Sequence, residues 1–248
     1  MRKILSLFVL ALFLSSCASL PFAEEKVEIE RNLYTNLPGS SGKVFAVKFD
    51  DTNDAHPQQG VESADVVYIT QVEAGLTRLM GIYSSNYPKV LGPIRSARIS
   101  DLSILGEYGK VGFLYSGAQS KMRPVIAEAN LMNLSAERNP PSIYFNDPAR
   151  RSPYSMMVKP NLLLEKATDV EFAKKPGWQN GPRAKGAKKI ISAKIDWPNA
   201  SYEAYWSATE RKFLLKHNGR ENIASSGVQL GSPMMVIQMV KISPSEYG

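Results

Sequence analysis

The sequence predicts a mixed α/β (α+β) fold in two parts. A larger mixed-sheet N-terminal domain with flanking helices comes first, and a small, mostly β C-terminal domain follows. Three observations carry this. Apolar runs of strand length alternate with short helix signals between residues 43 and 170. A Gly- and Pro-rich stretch with Lys174, Lys175, Arg183, Lys185, Lys188 and Lys189 then breaks the pattern. Beyond it only strand patterns recur. The divisions that follow are a leader at 1–17, a tether at 18–42, the larger domain at 43–170, a basic linker at 171–189 and the small domain at 190–248.

The leader starts with Arg2 and Lys3, and Ile4 to Leu14 is apolar except for Ser6. That run is too short to span a bilayer comfortably and has the layout of a secretory signal. It ends Leu14-Ser15-Ser16-Cys17, which resembles the lipobox of bacterial lipoproteins. The resemblance implies cleavage before Cys17 and acylation there, hence an extracytoplasmic protein held to the cell membrane by lipid. Cys17 is the single cysteine, so no disulfide supports the exported domain. The tether is polar and turn-rich, with Glu24, Glu25, Glu28 and Glu30 before Pro38-Gly39-Ser40-Ser41-Gly42.

In the larger domain, Phe45, Val47 and Phe49 alternate as a strand, and Asp50-Asp51-Thr52-Asn53-Asp54-Ala55-His56-Pro57 follows as a loop. Val66–Val72 is a nearly continuous β-branched run. The short turn Glu73–Thr77 predicts an antiparallel pairing with Arg78–Tyr83. Ser100 is placed to cap a helix over Asp101–Tyr108, with Gly109 as its stop. Val111–Tyr115 is a further strand. Lys121–Ala129 forms a helix that tolerates Pro124 in its first turn. Ile143–Phe145 reads as a short strand, and Leu162–Ala167 as a helix. In the small domain, Tyr202–Trp206 and Lys212–Lys216 pair as a hairpin, His217-Asn218-Gly219 is a turn, and Met234–Ile242 is a long strand.

The candidate site is the loop Gly92-Pro93-Ile94-Arg95-Ser96-Ala97-Arg98. Two guanidinium forks three residues apart suit a carboxylate or phosphate. A right-handed parallel crossover from Leu79–Tyr83 to Val111–Tyr115 would bring Ser116 to the same sheet edge. Ser96, Ser116 and the backbone N–H groups near Ser100 would then add donors. Asp50 and Asp51 form a carboxylate pair that could hold a ligand or act as a base. Glu73 and Arg78 are further candidates, expected at the far end of the antiparallel neighbour. Each has a plainer use. Arg95 and Arg98 can pair with Asp101, Asp50 or Glu107, Glu73 with Arg78, and Asp50 and Asp51 can serve a turn. His56 reads as a loop residue and His217 as a solvated turn residue.

No G-x-S-x-G, H-E-x-x-H or P-loop is present. Two histidines and one acylated cysteine do not make a typical zinc cage, so neither metal nor cofactor is expected and no residue is assigned as catalytic. Export and the lack of a nucleic-acid module argue against nucleic acid. The formal net charge is +7, and the seven cations between Lys174 and Lys194 match it. That segment can solvate a loop or meet anionic lipid or polymer.

Five motifs carry a resemblance: His56-Pro57-Gln58-Gln59-Gly60, Ala64-Asp65-Val66-Val67-Tyr68, Glu73-Ala74-Gly75-Leu76-Thr77-Arg78, the arginine loop, and Arg150-Arg151-Ser152-Pro153. Together they resemble the YerB-like lipoprotein family of bacteria. The resemblance implies a mixed α/β envelope lipoprotein of unestablished activity. Family members commonly carry Pro-His-Asn where this chain has Pro153-Tyr154-Ser155, and their C-terminal domain continues past Ile242, which implies an incomplete small domain here. The expected function is a lipid-anchored protein binding an anionic ligand or wall polymer through the arginine loop. The alternatives are an envelope glycan or phosphodiester hydrolase and a protein–protein adaptor that regulates wall synthesis.

Overall fold

The computed structural model describes residues 29–179, 181, 182 and 184–247. The leader, Cys17 and the first part of the tether lie outside the described residues. Among those described, no helix is long and apolar enough to cross a membrane.

The larger domain is built on a five-stranded sheet. Its strands are β1 (Phe45–Asp50), β2 (Val66–Gln71), β3 (Thr77–Tyr83), β4 (Val111–Leu114) and β5 (Leu131–Asn133), in the order β2-β3-β1-β4-β5. β3 is antiparallel to β2 and β1, whereas β1, β4 and β5 run parallel. The expected crossover from β3 to β4 is therefore corrected. β3 folds back from β2 and inserts beside β1, so the parallel neighbour of β4 is β1. Helices α1 (Ile99–Leu105) and α2 (Met122–Glu128) cover one face.

β1 is buried along its whole length because both sheet faces are covered. Phe45, Val47 and Phe49 enter one core with Leu79 and Tyr83. Val44 and Ala46 enter the other, with Met80, Leu105, Tyr108 and Phe113. Lys48 falls on the helix side, where its ammonium meets Asp101 of α1 at 2.5 Å with both side chains fully buried. The second Asp101 oxygen accepts the Arg98 backbone N–H at 2.7 Å. α1 is thus capped from Arg98, not from Ser100 as expected, and its start is closed by its own acid.

The domain takes in more chain than the sequence reading gave it. Asn32 and Tyr34 are buried, and Tyr34 packs edge-on against Tyr108 at 5.1 Å. The Val44 N–H bonds to the Glu171 carbonyl, and the Ala173 N–H to that of Gly42. The end of the tether and the start of the basic linker are therefore part of the body. A separate ribbon of β6 (Tyr144–Asn146) and β7 (Met156–Val158) holds the arginine loop, through Leu91 to Val158 and the Ile94 N–H to the Met156 carbonyl. α3 (Asn161–Leu164) follows.

The small domain is a sheet of β8 (Ser192–Trp197), β9 (Ala200–Ser207), β10 (Lys212–His217) and β11 (Arg220–Glu221), with β12 (Gly231–Ser232) also pairing β10. The expected β9–β10 hairpin is present. The strand expected at Met234–Ile242 is not. After β12 the chain leaves the sheet, with Val236 80% and Met239 90% exposed. β10, which it has just passed, is already paired with β9, β11 and β12, so no backbone edge is left there to receive it.

The two parts meet along a shared core in which Tyr202, Ala224 and Leu230 pack with Phe49 and Leu79. Polar bonds follow the seam. The Ser225 N–H donates to the Gln58 carbonyl at 2.8 Å and the Asn199 N–H to that of Gly75 at 3.0 Å. Gly75 has φ +65°, and a Cβ there would lie 2.6 Å from Pro198, so the close approach requires glycine.

Candidate functional site

Side chains alternate along a strand, so neighbouring residues face opposite sides. Asp50 ends β1 and Asp51 follows it. Opposite them on β3, Arg78 and Thr77 alternate in the same sense. The helix side receives Asp50 and Arg78, and the seam side receives Asp51 and Thr77. Two adjacent aspartates thus serve two different clusters.

On the helix side, Asp50 is fully buried. Its Oδ2 lies 3.0 Å from Arg95 Nε, and its Oδ1 lies 3.5 Å from Arg78 Nη1. Oδ1 also accepts the Thr52 N–H and hydroxyl at 2.9 and 2.8 Å. Arg98 Nε pairs with Glu73 at 2.6 Å. Burial lowers the pKa of Arg78, which the Asp50 charge opposes and Arg95 and Arg98 reinforce. Burial also works against the Glu73 carboxylate, yet Arg98 holds its pKa below the ordinary value. The Ser96 and Ser116 hydroxyls stand 3.4 Å apart, and Arg95 lies over the Tyr154 ring.

The structure therefore brings Arg95, Arg98, Ser96, Ser116, Asp50, Arg78 and Glu73 to one edge, by a different route from the expected one. Antiparallel β3 starts at that edge, and the arginine loop runs back to it along β1, with the Arg95 N–H on the Lys48 carbonyl and the Ser116 N–H on that of Arg95. Glu73 is not at the far end, and its partner is Arg98 rather than Arg78. Asp51 alone of the candidates faces away.

On the seam side, Asp51 is fully buried. Its Oδ1 accepts Tyr202 OH at 2.8 Å and Gln58 Nε2 at 3.1 Å, and its Oδ2 accepts the Thr77 hydroxyl at 2.6 Å. His56 Nε2 lies 3.3 Å from Oδ1 and His217 Nε2 3.9 Å from Oδ2. The imidazoles stack at 4.5 Å with 12° between planes. Burial opposes ionisation of Asp51, but the His56 hydrogen bond, the histidine charges and Thr77 together keep its pKa below the usual value. Burial pushes the His217 pKa down, against the pull of Asp51. His217 is 5% exposed, which corrects the expectation of a solvated turn residue.

The N-terminal domain model of DUF3048, a protein of unknown function, matches residues 34–173. The chain belongs to the DUF3048 family. It is similar to "Putative lipoprotein YerB" of Bacillus subtilis (strain 168), 26% identical over 158 residues that cover 57% of this chain and 48% of that one. The match thus spans about half the length of this relative. The crystal structure of the YerB protein from Bacillus subtilis matches with a TM-score of 0.67 at 16% identity, covering 82% of this chain and 72% of that one. At that identity the likeness speaks to the fold, a mixed α+β domain with a separate mostly β sheet.

In this DUF3048 chain, sequence reasoning missed His56, His217, Tyr202 and Gln58 as a cluster. The Asp51–His56 spacing within one loop was a local signal. His217 and Tyr202 reach the site only through the seam. Two concavities of the described surface are lined by none of these clustered side chains, one beside Gly60, Pro88 and Ser225, the other beside Tyr144, Phe145 and Met156.

Proposed function

We propose that this chain is a lipid-anchored protein of the bacterial envelope that grips an anionic group of a wall polymer at the Arg95–Arg98 edge. Membrane attachment draws on the lipobox-like Leu14-Ser15-Ser16-Cys17 and on the name of the Bacillus relative, "Putative lipoprotein YerB". Ligand binding rests on one observation. Among the described residues, three guanidiniums, Arg78, Arg95 and Arg98, share direct ion pairs with only two carboxylates, Asp50 and Glu73. Arg98 and Arg95 keep 19% and 26% of their side chains exposed, and Glu73 keeps 42%. A phosphate or carboxylate would enter by displacing Glu73 from Arg98 and taking both forks. Asp50, fully buried and ion-paired, orients the arginines and has no free access as a base, which counts against the hydrolase alternative.

The test is binding of polyglycerol phosphate or polyuronate to the full chain at low and high salt. Glu73→Gln should tighten binding by removing the internal competitor. Arg95→Ala with Arg98→Ala should abolish it, and salt should weaken the wild type. Equal binding by all three proteins would end this reading. A protein–protein adaptor is the second reading, because Met234, Val236, Met239 and Val240 stand exposed in the segment that follows β12. Crosslinking in intact membranes distinguishes it.

A further inference from the structure

We propose that Asp51, His56 and His217 form a divalent metal site, selective for a zinc-like first-row ion, that pins the small β domain to the larger one. This is independent of the arginine reading, since the two clusters lie on opposite sides of the sheet.

One carboxylate oxygen and two imidazole nitrogens lie within 4.8 Å of one another. Donors about 2.1 Å from a shared tetrahedral ion sit roughly 3.4 Å apart. His56 Nε2 lies 3.3 Å from Oδ1 and His217 Nε2 lies 3.9 Å from Oδ2, so each imidazole stands near that separation from one oxygen of the carboxylate. Small side-chain shifts would let all three reach one ion. Two imidazoles with a carboxylate suit zinc or a neighbouring transition ion better than calcium or magnesium, which prefer oxygen.

A second observation points to a missing ligand. His217 is about 95% buried, and its Nε2, directed at the Asp51 carboxylate, has no hydrogen-bond partner among the described residues. A buried imidazole nitrogen left unpaired costs stability unless something else satisfies it. A metal ion would do so, and would replace the 3.3 Å contact between His56 and Asp51. Tyr202, Thr77 and Gln58 fix the carboxylate in the way outer hydrogen bonds orient metal ligands. His56, 18% exposed, marks the entry side.

Asp51 and His56 come from the larger domain and His217 from the end of β10, so binding would couple domain docking to metal supply. The experiment treats the full chain with chelator, then titrates it with zinc and, separately, with cobalt. The expected result is one equivalent bound, a raised Tm, and cobalt visible bands of tetrahedral or five-coordinate nitrogen–oxygen ligation. His56→Gln and His217→Gln should each weaken binding at least tenfold, and Tyr202→Phe roughly tenfold with the ligands intact. Circular dichroism confirms that each variant is folded. Failure of wild-type protein to take up either ion stoichiometrically overturns the site without any variant. So does uptake that survives the double histidine substitution.

Discussion

Asp50 and Asp51 are neighbours in sequence, equally buried, and opposite in what surrounds them. Asp50 faces permanent cations supplied by its own domain, from β3 and the arginine loop. Asp51 faces neutral hydroxyls, an amide and two imidazoles, two of which, Tyr202 and His217, belong to the small domain. The difference teaches what each carboxylate does. Asp50 neutralises buried charge within one body, and losing it strands a cation. Asp51 ties two bodies together, and losing it loosens a joint.

The sharpest way to break this contrast is Asp50→Ala. It leaves Arg78 buried and unpaired, and should cost about 3–5 kcal/mol of global stability, seen as a lowered midpoint in denaturant with the larger domain unfolding. A loss confined to the small domain would contradict the assignment. Asp51→Ala should cost less, about 1–3 kcal/mol for stranded neutral donors. Its signature is local: amide exchange should rise in β8–β11 while β1 and β3 stay protected. Tyr202→Phe sharpens the comparison further. Removing one hydroxyl bond should cost about 1 kcal/mol and raise exchange in the same strands. Uniform exchange across both sheets in the two seam variants would refute the division.

The smallest effect concerns Glu73. Its pKa in the folded protein is depressed, so the pair with Arg98 contributes stability above the ordinary carboxylate range and loses it as pH falls through the folded value. At this partly exposed site the contribution is at most about 1 kcal/mol. A carboxyl NMR titration should show Glu73 ionising below the ordinary carboxylate range and moving up in Arg98→Ala. An unchanged titration would show that Arg98 is not its partner.

Much of the larger fold was legible. The alternation of β1, the β2–β3 turn and the helix around Pro124 are local patterns, fixed by side-chain period and backbone preference. The pairing order was harder to read, because a hairpin can add its second strand on either side. The strand expected at Met234–Ile242 failed for a related reason. Its residues favour extended backbone, but extension becomes a strand only when the segment reaches a partner, and after β12 the chain leaves the sheet.

The sequence by itself determined the strand and helix segments, the gathering of arginines in one loop, and the family motifs, all of them short-range properties. Only the tertiary structure decided that Glu73 belongs to Arg98, that adjacent aspartates part company across the sheet, and that His217 joins His56. Charge and hydrogen-bond partners are chosen by distance in space, and residues far apart along the chain become neighbours only when the apolar faces between them close.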